Sequence, residues 1–161
     1  MADRREERPG LPSVLDRLLD DDPGATAERP QTVRQMGEAL KNAVRRDLEN
    51  LLNRRWRPLE LPEGLDEVAD SSFEYGVPDF GGVNLSSKQK RRRYLRGIEE
   101  IIRRHEPRFS DIKVVPVEES NSGQRKLHFR IEAILRTEPA PESVLYDSQC
   151  DVVTRSFRIE A

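Results

Sequence analysis

The sequence predicts an α+β fold in which a mostly antiparallel sheet packs in two layers against two main helices, with a short additional helix near the N-terminus. Two observations support this prediction. Apolar residues recur every three or four positions in two long segments before residue 106, which is typical of amphipathic helices. After residue 107 the period changes to two, which is typical of half-buried strands. We therefore expect both helices to cover one face of the sheet.

The N-terminal region, residues 1–32, is predicted to be a tail, a short helix and a linker ahead of the main domain, residues 33–161. Its first ten residues are charged and without pattern. A short helix is then expected from Ser13, and the turn-rich acidic run at 20–24 ends it. The apolar side of this helix is a candidate contact for a partner protein, through Leu15, Leu18 and Leu19.

The first long helix is predicted over residues 33–53. Thr32 and Gln35 have the spacing of a capping box, in which each side chain binds the backbone N–H of the other residue. The run Arg-Trp-Arg-Pro at 55–58 ends the helical pattern. A helix of about 20 residues is long enough, at roughly 30 Å, to cover one face of a small sheet.

The second long helix is predicted over residues 86–105, with Ser86 and Ser87 as capping residues. Its apolar side is formed by Tyr94, Leu95, Ile98, Ile101 and Ile102. Between the two helices, residues 58–85 are rich in proline and glycine and are predicted to form an ordered loop. The loop's aromatic residues are expected to pack on the core, and its glycines to permit turns; these are Phe73, Tyr75, Phe80, Gly76, Gly81 and Gly82.

The sheet is predicted to begin near residue 111. The clearest strand follows a turn at 121–123, where apolar and polar residues alternate strictly from Lys126 to Leu135. Two more short strands are expected on either side of a turn near Asp151. Their apolar positions are Val144 and Tyr146, then Val153, Phe157 and Ile159.

The composition excludes several classes of function. The 28 basic residues are offset by 30 acidic ones, so no global positive field exists to attract nucleic acid. One cysteine permits neither an internal disulfide nor a thiolate metal cluster. No secretory signal or membrane-length apolar run is present, which predicts a cytoplasmic protein without direct membrane insertion. The basic run at 88–96 is interpreted as a solvated or protein-docking face, with a nucleic-acid contact as the alternative.

A junction between the second helix and the first strand is the most informative feature of the chain. Proline disfavours the αR conformation in the residue before it, so Pro107 should end the helix near His105. In an extended tripeptide, side chains two positions apart point the same way, which would place Glu106 beside Arg108. The Glu106 carboxylate would then offer hydrogen-bond acceptors, and the Arg108 guanidinium five N–H donors in one plane, on the same face. This combination favours protein docking over catalysis.

Catalysis and metal binding receive little support from the sequence. A hydrolase needs two positioned carboxylates, and four acidic residues lie close together in the sequence: Glu99, Glu100, Glu106 and Asp111. However, Glu99 and Glu100 each precede an arginine by four positions, which favours helix-surface ion pairs. The two histidines, His105 and His128, lack a metal-ligand spacing, and no nucleophile elbow is present. No catalytic residue, metal or cofactor is predicted.

Four segments in order resemble the contractile-tail baseplate wedge proteins, historically labelled lysozyme-like, and within them the TssE family of type VI secretion baseplate subunits. The segments are LPSVLDRLLDDDP at 11–23, VRRDLENLLNRR at 44–55, YGVPDF at 75–80 and IRRHEPRF at 102–109. Because four motifs occur in the family's order, the resemblance covers roughly residues 11–160.

The resemblance implies a structural protein that joins the baseplate wedge to the contractile sheath and nucleates sheath assembly. Glu106, Pro107 and Arg108 would attach it to the helical core bundle of the wedge, whose components are TssF, TssG and TssK. A sheet edge would bind the sheath proteins TssB and TssC by strand addition, in the region of Phe157 and Ile159. The apparatus would hold the subunit at the cytoplasmic side of the membrane.

Two alternative functions stay open at this point. One is peptidoglycan hydrolysis, which rests on the acidic residues at 99–111 and on the family's historical label. The other is a regulatory adaptor that binds a different protein through the same fold, since one fold serves many functions.

Overall fold

The structure is a computed structural model of the 161-residue chain. It describes residues 14–18, 24, 32–56, 75–78, 87–117, 126–137, 140–151 and 153–160. Within these ranges lie three helices, a pair of two-residue strands and a four-stranded sheet.

The main sheet is antiparallel, with its strands in sequence order from one edge to the other. Its strands are β3 (Phe109–Pro116), β4 (Lys126–Leu135), β5 (Glu142–Asp151) and β6 (Ser156–Glu160). The alternation predicted for β4 is confirmed, because its odd-numbered side chains are buried. Two details of the prediction are wrong: β5 has ten residues and is not short, and Val153 lies in the turn before β6.

The first long helix, α2, spans Val33–Asn53, as predicted from the sequence. Its capping box forms, since the Gln35 N–H donates to Thr32 Oγ1 at 3.3 Å and the Thr32 N–H donates to Gln35 Oε1 at 2.9 Å. These bonds satisfy backbone donors that the first helical turn leaves without partners.

The second long helix, α3, spans Lys88–His105. Its end at His105 confirms the effect predicted for Pro107, and the Glu106 N–H closes the last turn by donating to Ile102 O at 2.8 Å. The predicted cap at the start differs from the structure. Ser87 occupies the N-cap position, but its side chain makes no capping hydrogen bond.

The short N-terminal helix, α1, spans Val14–Leu18. Asp16 forms an ion pair with Arg46 of α2. The predicted capping residue Ser13 and the predicted contact residue Leu19 lie outside the described residues. The proposed division of the chain at residue 32 stays a prediction.

A parallel pair of two-residue strands, β1 (Arg55–Trp56) and β2 (Val77–Pro78), joins the end of α2 to the loop before α3. Gly76 makes the approach possible: its φ is +124°, and a Cβ placed there would lie 2.5 Å from the Arg54 carbonyl oxygen. The pairing was not predicted from the sequence. Of the predicted loop aromatics, Tyr75 packs against the core, as expected. Phe73, Phe80, Gly81 and Gly82 lie outside the described residues.

One face of the sheet and both long helices form the hydrophobic core, which confirms the predicted two-layer α+β architecture. The helices bury Leu40, Val44, Leu48, Leu51, Leu52, Tyr94, Leu95, Ile98 and Ile102. The sheet buries Phe109, Ile112, Val114, Leu127, Phe129, Ile131, Ala133, Leu135, Val144, Tyr146, Cys150, Phe157 and Ile159. Since α3 packs mainly on β3 and α2 on β6, the two helices lie over opposite edges of the same face.

Candidate functional site

The junction after α3 is a tight turn. The Phe109 N–H donates to the Glu106 carbonyl at 3.3 Å, which closes the four residues into a β-turn. The predicted extended tripeptide is therefore wrong: proline restricts the residue before it, but Pro107 and Arg108 themselves turn. The expected result still holds, because the turn brings the side chains of Glu106 and Arg108 together.

Glu106 and Arg108 form a bidentate ion pair within the turn. Arg108 Nε lies 2.6 Å from Glu106 Oε1, and Arg108 Nη2 lies 2.5 Å from Glu106 Oε2. The Arg108 backbone N–H also donates to Glu106 Oε1, at 3.2 Å. The Glu106 side chain is only 6% exposed, and both of its carboxylate oxygens bind the Arg108 guanidinium.

A second carboxylate, from α2, binds the same guanidinium. Arg108 Nη2 lies 2.6 Å from Asp47 Oδ2. Burial alone would lower the pKa of Arg108, but hydrogen bonds to Glu106 and Asp47 outweigh it and raise the pKa above its ordinary value. Arg108 is therefore charged at every accessible pH and is fixed in direction by two elements of the fold.

Asp47 is a site residue that the sequence analysis missed. A signal for it exists: Asp47 is three positions after Val44 and four before Leu51, both of which are buried. Residues at these spacings share one side of a helix. A partly buried acidic residue on the apolar side of α2 favours a cationic partner, and only the folded chain shows that Arg108 supplies it.

The ion pairs continue from Asp47 to the N-terminal helix. Arg46 lies 3.4 Å from Asp47 Oδ1 and also binds Asp16 of α1. Five alternating charges thus connect three segments of the chain, in the order Asp16, Arg46, Asp47, Arg108 and Glu106. Since Arg46 is 37% exposed, the outer part of this chain of charges is partly screened by water.

A groove of about 420 Å³ opens beside the turn. Its walls are formed by Asp47, Leu48, Leu51, Tyr75, His105, Glu106, Pro107 and Arg108. The Tyr75 and His105 rings pack edge to face, with their centroids 5.4 Å apart. Arg108 Nη1 is buried and has no hydrogen-bond partner among the described residues, so the arginine retains a donor after binding both carboxylates. The groove therefore has apolar walls beside a charged side chain, whose Nη1 is shielded from solvent.

Glu99, another acidic residue near the turn, has structural contacts. Glu99 binds Arg103 at 2.9 Å, which confirms one of the two predicted helix-surface pairs. Its second oxygen accepts the Val114 N–H at 3.0 Å. Among the described residues no group of three or more His, Cys, Asp or Glu is arranged to hold a metal ion.

The two remaining predicted contact regions differ in exposure. Leu15 and Leu18 of α1 are 56% and 75% exposed, so their apolar side chains face away from the fold. Phe157 and Ile159 of β6 are buried in the core. A partner of β6 could therefore contact the backbone of these residues but not their side chains.

Comparison with known proteins gives one family. The family model described as baseplate wedge protein gp25 matches residues 38–140. That range contains Asp47 and the turn at 106–108, called the docking turn below for the role predicted from the sequence, whereas α1 and β6 lie outside it. No curated protein and no solved structure matches the chain. In the portion of the chain that the structure describes, the helices are too short or too polar to cross a membrane.

Proposed function

The chain belongs to the family of baseplate wedge protein gp25, and we propose from this membership that it is the TssE subunit of a type VI secretion baseplate. The family is structural and its members take part in contractile-tail baseplates. In the proposed role the subunit links the wedge to the contractile sheath and nucleates sheath assembly. Its work is mechanical coupling and requires no substrate.

The docking turn is the observation that best supports this proposal. Glu106 and Asp47 hold Arg108 in one orientation before any partner binds. Preorganisation of this kind lowers the entropy lost on association. The Arg108 side chain is 23% exposed, and its buried Nη1 would become a charged donor to an acceptor on the wedge proteins TssF, TssG or TssK once the partner opens the groove. The apolar groove walls beside it suit a packed helix of the core bundle.

The sheath contact is proposed at the edge of the sheet that β6 forms. The backbone of β6 near Phe157 and Ile159 would pair with a strand of TssB or TssC, because β6 is an edge of the sheet. Strand addition suits a contact that must transmit force, since several backbone hydrogen bonds act in parallel. The exposed Leu15 and Leu18 of α1 are a second proposed contact with the baseplate. We propose that the assembly lies on the cytoplasmic side of the membrane.

Reversal of the charge at Arg108 tests the wedge contact. We expect Arg108→Glu to reduce recovery with tagged TssF and TssG by about thirtyfold or more, because truncated or reversed charges at a desolvated contact cost several kcal/mol. Arg108→Lys keeps the charge but lacks the planar fork and should give an intermediate loss. Arg93→Glu, at an exposed position of α3, is the matched control.

Circular dichroism and thermal melts must show that each variant is folded. Equal recovery of the parent and a folded Arg108→Glu would count against the turn as the docking site and direct attention to Leu15 and Leu18. If the parent itself fails to bind TssF and TssG, the proposed type VI role is wrong, although membership of the family stands.

A further inference from the structure

Side chains of the long helices close both edges of the main sheet. The edge strands are β3 and β6. An edge strand normally presents unpaired backbone N–H and C=O groups that can pair with another chain. In antiparallel pairing these groups alternate along the strand, so every second residue directs them away from the sheet. In this fold, several of those outward groups already have partners on the helices.

At β6 the closing residue is Asn53, the last residue of α2. The Phe157 N–H donates to Asn53 Oδ1 at 2.9 Å, and Asn53 Nδ2 donates to the Phe157 carbonyl at 2.9 Å. A side-chain amide has the same donor and acceptor as a peptide group. Asn53 thus makes with Phe157 the two bonds that a residue of a neighbouring strand would make.

A row of residues on α2 extends this contact along β6. Arg45 Nη1 donates to the Ile159 carbonyl at 3.2 Å and lies 3.5 Å from Glu49 Oε2. Asn53 Nδ2 also donates to the Glu49 carbonyl, at 2.8 Å. Because Arg45, Glu49 and Asn53 are four positions apart, they lie in a line on the helix surface. This line occupies three outward backbone groups of β6.

The β3 edge is closed by different chemistry. Glu99 accepts the Val114 N–H, and Arg103 donates to the Ile112 carbonyl at 3.1 Å. These two side chains also bind each other at 2.9 Å, so neither can leave without breaking an ion pair. Pro116 adds a position without an N–H donor, which is a common protection of edge strands.

We propose that the edge of β6 is a closed strand-docking surface, in which the Asn53 amide stands in for a peptide group of an incoming extended segment of a partner protein. This inference rests on the proposed function, in which that segment belongs to the sheath. Asn53 is neutral, exposed and terminal in its helix, so rotation of one side chain frees Phe157. The β3 edge would have to lose a linked ion pair.

The buried side chains of β6 support this choice of edge. Phe157 and Ile159 are 6% and 1% exposed, so the core holds the strand in place while its outer backbone changes partners. The incoming segment would gain the N–H and C=O of Phe157, while the carbonyl of Ile159 stays bound to Arg45. Until it binds, the amide of Asn53 protects the edge from pairing with a wrong chain.

Amide hydrogen exchange of the purified chain tests whether Asn53 protects the backbone of Phe157. We expect Asn53→Ala to accelerate exchange of the Phe157 amide by about tenfold or more, because the bond that protects this amide is gone. Asn50→Ala is the matched control: it removes an exposed asparagine one turn earlier on the same helix. Unchanged protection at Phe157 in a folded Asn53→Ala would overturn the proposal.

Binding to TssB and TssC tests the exchange of partners. If Asn53 must leave before the strand adds, Asn53→Ala should bind the sheath proteins about two- to tenfold more tightly than the parent, which is the effect of removing one or two net hydrogen bonds that compete. A loss of binding in Asn53→Ala would overturn the proposal, since Asn53 would then be a contact of the sheath. Failure of the proposed function is distinguishable, because the parent would not bind either.

Discussion

The docking turn and the edge of β6 are the two main predicted partner contacts, and the fold prepares them in opposite ways. At the turn, two carboxylates hold Arg108 while its Nη1 keeps a donor without a partner among the described residues. At β6, the backbone groups of Phe157 are already bound by Asn53. The first site must only uncover the buried Nη1, whereas the second must first exchange a hydrogen-bond partner.

The two contacts require different properties. A charged donor held by Glu106 and Asp47 in a groove is specific by geometry and cannot pair with an arbitrary chain. An open strand edge has no such selectivity, since any extended backbone can pair with it. The edge therefore needs a cover, and the turn does not.

The largest expected effect comes from breaking the turn. Glu106→Ala leaves Arg108 with Asp47 as its remaining carboxylate and removes a side chain that is 6% exposed. We expect the free energy of unfolding to fall by about 3 kcal/mol, at the low end of the range for a broken buried ion pair because Asp47 still binds. Urea unfolding would measure it. A loss below about 1 kcal/mol would show that the turn is not held by this pair.

A smaller effect is expected at Asp47. Asp47→Asn preserves the shape of the side chain but removes the charge that binds Arg108 Nη2. We expect a loss of about 1–2 kcal/mol in the free energy of unfolding, as for a hydrogen bond to a charged group. Binding to TssF and TssG should weaken more than stability predicts, because Arg108 is then less well oriented.

The matched control for this comparison is Glu49→Gln, a part-exposed carboxylate two positions later on α2. If Asp47→Asn and Glu49→Gln weaken wedge binding equally, orientation of Arg108 is not the reason for the effect.

The smallest expected effect on stability concerns the β3 edge and depends on pH. Burial acts to raise the pKa of Glu99, but the Val114 N–H and Arg103 outweigh it and lower the pKa below its usual value. A carboxyl group whose pKa is lower in the folded state stabilises the fold above its unfolded pKa, and this contribution is lost as the pH falls through the folded pKa. The contacts of the Glu99 carboxylate that close the β3 edge should therefore weaken below about pH 4.

Urea unfolding between pH 7 and pH 3 tests this expectation. Glu99→Gln should lower stability at pH 7 by no more than about 1 kcal/mol, since the carboxylate is partly exposed, and should reduce the loss on acidification. Glu100→Gln, at an exposed position of the same helix, is the control. Identical pH profiles for Glu99→Gln and the parent would show that the β3 cap does not depend on charge.

Long periodic elements could be predicted from the sequence. The limits of α2 follow from its capping box and its apolar spacing, and the alternation of β4 gives the buried face of the sheet. The length of β5 could not be predicted, because Ser148 is buried between Tyr146 and Cys150 and its polar character hides the period of two. Nothing local to β1 and β2 indicates that these two-residue strands pair.

The docking site could be predicted in part. The sequence pattern correctly predicted that the Glu106 and Arg108 side chains lie together, but the predicted geometry was wrong. The Phe109 N–H closes a turn, and the segment is not extended. The contribution of Asp47 depends on a contact across 61 positions of the chain, and periodicity carries no information about such distances. Asn53 was assigned only as a helix end, because its bonds to β6 also come from tertiary packing.

The single cysteine of the chain lies directly across the ladder from Phe157. It is 4% exposed, and burial raises the pKa of its thiol. A thiol reagent can therefore reach Cys150 only when the last strand or its surroundings separate. The Cys150 sulfur also lies 3.8 Å from the Tyr94 hydroxyl of α3, so the rate of sulfhydryl modification reports, without any engineered label, how often β6 or α3 separates from Cys150. Incorporation of the protein into its assembly should slow the modification of Cys150.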